Sequence, residues 1–240
     1  MSAERSEALV LRSVDYSETS RIVTLLSPSR GRLTCMAQGI RRAKSKLAGV
    51  LDTFSHIEAV YYWKDGRSIQ KLGEASLLDG HHAIKASLDK GLYGAVLLEF
   101  VYKVVHENEP SHDIFGTLSR DLKSFGSWTG SARTHCCWQL LRMLSIAGYE
   151  LPLEADPLAA RVGFSYRTGL GGDEPAYDHW ISGDGVVALQ SLALAENVCA
   201  DVVIDVQTFD AVCGFMEHQL EASFKSLKVV REALLKRVLT

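Results

Sequence analysis

Residues 7–38 read EALVLRSVDYSETSRIVTLLSPSRGRLTCMAQ, and the fold turns on how this stretch alternates. Glu7 to Val14 sets apolar against polar side chains in turn. Ser20 to Leu26 does the same with β-branched residues, ending at the turn Ser27-Pro28-Ser29-Arg30-Gly31. Arg32 to Gln38 repeats the pattern and breaks at Gly39. A period of two is the mark of a strand with one wet face. Working outward, His56 to Trp63 (HIEAVYYW) is a fourth strand, and Lys64-Asp65-Gly66-Arg67 carries the Asp-Gly dipeptide of a tight hairpin. Ser68 to Leu72, running on towards Leu77, makes the fifth. Five short strands with one longer interruption between the third and fourth predict a small Greek-key barrel of the OB type. A split sandwich is the competing arrangement.

Beyond Asp79 the period changes from two to about 3.6. Leu92 to Val105 is apolar nearly all round, as in a helix buried in a bundle. Ser111 opens a second helix with Ile114, Phe115, Leu118 and Leu122 on one face and Gly126 past its end. Ser131 caps a third, in which Cys137, Leu140, Leu141 and Leu144 form the stripe and Gly148 the stop. Residues 150–185 are rich in Pro and Gly, from Pro152 to Pro175, and read as an irregular excursion. Helix returns at Gly185 to Ala195 and as one segment from Gln207 to Val238, with Val212, Phe215, Met216, Leu220, Phe224 and Leu227 buried. The expected class is α+β and multidomain: a five-stranded barrel over 1–80, then an all-α domain over 81–240 carrying the excursion.

The net charge of −3 hides an asymmetry. Residues 1–80 hold 12 Lys and Arg against 9 Asp and Glu, whereas residues 81–240 hold 14 against 20. Local field, not total charge, is what an approaching phosphate feels, so the first third is a candidate nucleic-acid surface. No apolar run approaches the ~20 residues of a membrane helix. The polar start Met1-Ser2-Ala3-Glu4 does not resemble a secretory signal, and a cytoplasmic address is expected. The five cysteines are odd in number with no C-x-x-C pair, so neither a disulfide framework nor a thiolate zinc site is expected. His135, Cys136 and Cys137 are adjacent helix positions pointing ~100° apart, and cannot converge on one ion.

The third strand is followed by Gly39-Ile40-Arg41-Arg42-Ala43-Lys44-Ser45-Lys46, with four cations in six positions. Such a loop packs a core poorly and neutralises phosphates well, although a merely solvated turn has the same composition. Arg30, Arg32, Arg41, Arg42, Lys44 and Lys46 are the candidate DNA contacts. Contacts to the backbone carry no sequence preference, and neutralising about five phosphates gives a log–log salt slope near −3.5. Tyr61, Tyr62 and Trp63 invite base stacking, but neighbours on a strand face opposite sides, so at least one belongs to the core. No phosphate loop, G-x-S-x-G or H-E-x-x-H is present, and the eight histidines are scattered. Gly171-Gly172-Asp173-Glu174 is similar to a nucleotide cyclase signature, but Pro175 stands where an aromatic is needed. No catalytic residues and no cofactor are expected.

Taken together, residues 7–80 resemble the opening domain of the RecO recombination mediator family. The resemblance rests on Tyr16-Ser17-Glu18-Thr19-Ser20, the Gly31 turn, the basic run from Gly39 to Ser45, and Leu51-Asp52-Thr53-Phe54 before an aromatic strand. It continues sparsely through Leu98-Glu99, Glu109-Pro110, Ile114-Phe115 and Gly148-Tyr149. It implies a DNA repair and recombination mediator that binds single- and double-stranded DNA and anneals complementary strands. With RecR, such a mediator helps load RecA onto strands coated with single-strand binding protein, in the nucleoid. It also implies a site for that protein's acidic C-terminal tail, for which Arg133 and Arg142, flanking Trp138, are candidates. Many family members carry a four-cysteine zinc knuckle in the excursion. The corresponding positions here fall near Asp156, Ala159, Pro175 and Asp178, so no zinc is expected and packing through Phe164, Tyr166, Tyr177 and Trp180 must replace it. The alternatives are another OB-fold module, binding RNA, and a metal-dependent nuclease.

Overall fold

The computed structural model describes residues 2–40, 47, 49–156, 158–171 and 176–238. The amino-terminal alternation becomes five strands: β1 (Ser2–Asp15), β2 (Arg21–Ser27), β3 (Gly31–Ala37), β4 (His56–Trp63) and β5 (Gln70–Asp79). They close into a barrel in the order β1-β2-β3-β5-β4, and β1 pairs with β4. That order, with a parallel β3–β5 pairing inside an otherwise antiparallel sheet, is the OB arrangement and not a split sandwich. β1 closes the barrel because it is long enough to serve two neighbours. Its first half, from Ser2 to Leu9, pairs with β4, and its second half, from Leu9 to Asp15, pairs with β2. A register shift between Val10 and Arg12 bends it at the handover.

Strict alternation along β3 and β4 points Leu33, Cys35, Ile57, Ala59, Tyr61 and Trp63 inward, where they meet Val10, Val23, Leu25 and Leu72. The β4–β5 connection is longer than a tight hairpin. Residues 64–69 form a turn that Gln70 ties down: its amide nitrogen donates to the carbonyls of Lys64 (3.2 Å) and Arg67 (2.8 Å), and its amide oxygen accepts from the Lys64 N–H (3.0 Å). The pairing of β3 with β5 is limited to Cys35↔Gln70 and Met36↔Lys71, which leaves a seam in the wall.

The helices are α1 (His82–Ala86), α2 (Leu88–Val104), α3 (His112–Ser127), α4 (Ala132–Ile146), α5 (Gly183–Leu194), α6 (Val206–Gln219) and α7 (Lys225–Val238). Two compact units result, one of residues 1–86 and 98–126, the other of residues 87–97 and 127–240. The barrel itself ends at Asp79, near the expected division at 80, but its compact unit takes in residues 98–126 as well. The chain after α2 lies on the β2–β3 turn, where the Arg32 N–H donates to the His106 carbonyl (3.2 Å) and the Ser111 N–H to the Pro28 carbonyl (2.9 Å).

In the second unit Ser131 caps α4 as expected, its hydroxyl accepting from the Thr134 N–H, and Gly148 (φ +84°) lies past the helix end. The expected one-sided stripe is exceeded: every residue of α4 from Thr134 to Leu141 is buried, because α5 and α6 both pack on it. Two expectations are corrected. The segment from Gln207 to Val238 is two helices, parted where Glu221 adopts φ +46° and the Glu217 carboxylate accepts from the Phe224 N–H (2.8 Å). The excursion is not irregular, for β6 (Arg161–Ser165), β7 (Gly169–Leu170) and β8 (His179–Ser182) form a small antiparallel sheet ordered β7-β6-β8. Its glycines belong to this sheet and do not break it: Gly163 leaves the space that the Tyr177 ring fills, and Gly169 (φ +83°) follows the turn joining β6 to β7. Phe164 is fully buried beside Tyr166, and Tyr177 packs edge-on against Trp180 (5.2 Å). Pro157 and residues 172–175, including the Gly172-Asp173-Glu174 string, lie outside the described residues. No helix of the described chain is long and apolar enough to cross a membrane.

Candidate nucleic-acid interface

Arg30 sits in the β2–β3 turn, where its N–H donates to the Ser27 hydroxyl (3.2 Å). Its guanidinium makes a two-pronged contact with the Glu4 carboxylate on β1, at 3.0 and 2.5 Å, and lies 4.3 Å from the Trp63 ring centroid. Glu4 also accepts from the Tyr61 hydroxyl (3.2 Å), whose pKa burial and this carboxylate push up to about 12. The side chain of Arg30 is one-third exposed, but its bidentate fork is occupied. Arg32 is likewise engaged: one nitrogen donates to the Tyr102 carbonyl (2.6 Å) while the guanidinium stacks on the Tyr102 ring (4.4 Å). Both arginines therefore hold the fold of their unit together. Arg41, Arg42, Lys44 and Lys46 lie outside the described residues.

Two other barrel cations are also committed. Arg5 pairs with Glu58 (3.0 Å), and Arg21 with Asp15 (2.9 Å) and Asp52 (3.4 Å). Arg67 and Lys71 differ. Both are exposed, neither makes an ion pair among the described residues, and both line a cleft of about 350 Å³ over the β3–β5 seam. Met36, Gln38, Ser68, Ile69 and Gln70 complete its walls. Beside it stands Tyr62, 36% exposed, while its neighbours Tyr61 (1%) and Trp63 (8%) face the core. The period-two argument thus resolves in favour of the middle aromatic. The Tyr62 ring leans over the bare Cα of Gly73, where a Cβ would come within 2.8 Å of it, and the Lys71 ammonium lies 5.7 Å from its centroid. Arg67 and Lys71 escaped the sequence reading because neither belongs to a charge run. Only the closure of β3 against β5 sets them beside Gln38, three positions before Arg41.

The second unit does not bring the two partner candidates together. Arg133 and Arg142 are nine residues apart on the unbroken α4, which sets them ~180° apart around the axis and ~13 Å along it. Arg133 lines a cavity of about 290 Å³ with Lys90, Tyr93 and Trp128. Arg142 stacks on Trp138 (4.6 Å), a ring only 3% exposed whose N–H donates to the Ala195 carbonyl (3.1 Å). The Trp138 ring that the two arginines flank in sequence is therefore taken up by the unit's own packing.

Nucleophilic chemistry finds little support in the buried thiols. Burial pushes Cys35 and Cys137 up to about 12, and Cys136 and Cys213 well above their ordinary value, which leaves them protonated at neutral pH. Among the described residues no group of three or more His, Cys, Asp or Glu side chains is placed to hold a metal ion.

Residues 1–81 match the family model described as "Recombination protein O N terminal". Curated relatives carry the description "DNA repair protein RecO". The one from Salinibacter ruber is 34% identical over 148 residues, covering 60% of this chain and 56% of that protein. The one from Shouchella clausii is 28% identical over 172 residues, covering 68% and 66%, and the one from a Nocardioides species is 33% identical over 152 residues, covering 62% of each. The chain thus matches these relatives over less than two thirds of their length. The family-model match contains the whole barrel, so it is through this amino-terminal domain, residues 1–81, that the chain is similar to RecO proteins.

Proposed function

We propose that this protein is a non-enzymatic DNA repair and recombination mediator whose barrel binds DNA without sequence preference. In this reading it anneals complementary single strands and, with RecR, helps load RecA onto strands coated with single-strand binding protein. The observation that carries the proposal is the RecO amino-terminal match over residues 1–81, coinciding with a closed OB barrel. On its seam Arg67 and Lys71 face solvent without carboxylate partners among the described residues, in a cleft they share with Gln38, which precedes the Arg41–Lys46 run by three positions. Backbone neutralisation by these six cations gives a log–log salt slope near −4 on single strands. The physical logic is that of a mediator: a surface that reads no base sequence can hold any two strands while their bases find each other.

Strand annealing on complementary oligonucleotides coated with single-strand binding protein tests the proposal. The unaltered chain accelerates annealing, and Arg41→Glu/Arg42→Glu weakens DNA binding with the melting temperature nearly unchanged. Undiminished affinity in that variant refutes the loop assignment. Short products from labelled DNA in Mg²⁺ or Mn²⁺ would replace the mediator with a nuclease.

A further inference from the structure

We infer that the cleft over the β3–β5 seam takes one unstacked nucleobase, with the neighbouring base laid on Tyr62, so that this barrel binds single strands through their bases as well as their phosphates. The inference rests on the DNA-binding reading above and deepens it, since phosphate contacts alone do not separate single strands from duplex.

The chemistry of the walls is that of a base site. At about 350 Å³ the cleft falls at the lower end of small-ligand pockets. Met36 and Ile69 offer apolar surface for a ring face, and the exposed Gln38 amide offers both a donor and an acceptor to a base edge. Arg67 and Lys71 add positive charge without an ion-pair partner among the described residues, as a sugar-phosphate backbone requires. The floor is rigid, because the three hydrogen bonds of Gln70 hold the 64–69 turn and the seam pairs hold Met36 beside Lys71.

Tyr62 extends the site by one step. Met36, Lys71 and Tyr62 are successive partners across three adjacent strands, so the cleft and the ring lie ~10 Å apart on the barrel's outer surface. Gly73 fixes the ring's place, since any side chain there would push it away. At 5.7 Å the Lys71 ammonium is at the outer limit of a cation–π contact, and it is free to move onto a phosphate when a base takes its place on the ring. Aromatic stacking of this kind accepts every base, which keeps the site compatible with sequence-independent binding. Paired bases in a duplex have both faces and their pairing edges occupied, and cannot enter.

The experiment measures binding of the full chain to three labelled probes by anisotropy: oligothymidylate, a duplex of equal length, and an abasic single strand of equal charge. Tyr62→Ala is expected to weaken oligothymidylate binding roughly 5- to 150-fold, the worth of one stacked base. Its affinity for duplex and abasic strand stays that of the unaltered chain, and Tyr62→Phe restores the loss. Equal weakening on all three probes, or on none, overturns the inference while leaving the DNA reading in place. Failure of the unaltered chain to bind any probe overturns both.

Discussion

Gly31 opens β3 with φ +57°, and a Cβ built on it would lie 2.8 Å from the His106 carbonyl oxygen and closer still to that of Glu109. Gly31→Ala therefore incurs two costs. Holding an L-residue in the left-handed region costs about 1–2 kcal/mol. Displacing backbone carbonyls that are themselves anchored, His106 by the Arg32 N–H, adds about 1–3 kcal/mol. Gly66 is the internal control: it has φ +73° but nothing within 4 Å of its added Cβ, so Gly66→Ala incurs the first cost alone. The restriction that alanine places on the unfolded chain, about 0.4–1 kcal/mol, is common to both and cancels in the difference. Urea unfolding of the two variants and the unaltered chain, followed by tryptophan fluorescence, should thus place Gly31→Ala lower in midpoint by an amount equivalent to about 1–3 kcal/mol, with similar slopes. A Gly31→Ala variant no less stable than Gly66→Ala would show that the segment after α2 does not press on the β2–β3 turn.

His135, fully buried on α4, has its pKa lowered to about 4 by loss of solvation. Between that value and the ordinary ~6.5 the unfolded chain binds a proton that the folded chain refuses, so stability is full above pH 6.5 and is lost as pH falls towards 4. The loss reaches on the order of 3 kcal/mol, and comparing urea midpoints at pH 7 and pH 4.5 in the unaltered chain and His135→Phe isolates it. A variant with the same acid sensitivity refutes the assignment. Arg30→Ala removes a partner from Glu4 and Trp63 and should destabilise by about 1–2 kcal/mol, discounted for partial exposure, while the salt slope of DNA binding stays put. A slope shallower by about one phosphate would instead place Arg30 on DNA.

The amino-acid sequence by itself determined the barrel, its five strands and the helical character of the chain beyond Asp79, because alternation and the 3.6 period are local signals of which face is buried. It also determined that one of the three consecutive aromatics must face away from the other two, since a pleated strand permits nothing else. Only the tertiary structure decided which of the two faces meets the core: Tyr62 points out because the core holds Tyr61 and Trp63. Tertiary structure alone also decided which arginines are spent. Arg30 and Arg32 look like phosphate ligands when charge alone is considered, yet Glu4 lies 26 positions and Tyr102 70 positions away, and closure of the fold brings each to its arginine. The same long-range closure placed Arg67 and Lys71 on one cleft and turned Arg133 and Arg142 to opposite sides of α4. The glycines of the excursion read as breaks because their role is set by the rings that lie on them, Tyr177 on Gly163 above all. Burial pattern is a property of neighbouring residues, whereas the partner of a charge or the occupant of a glycine's empty face is fixed by residues distant along the chain.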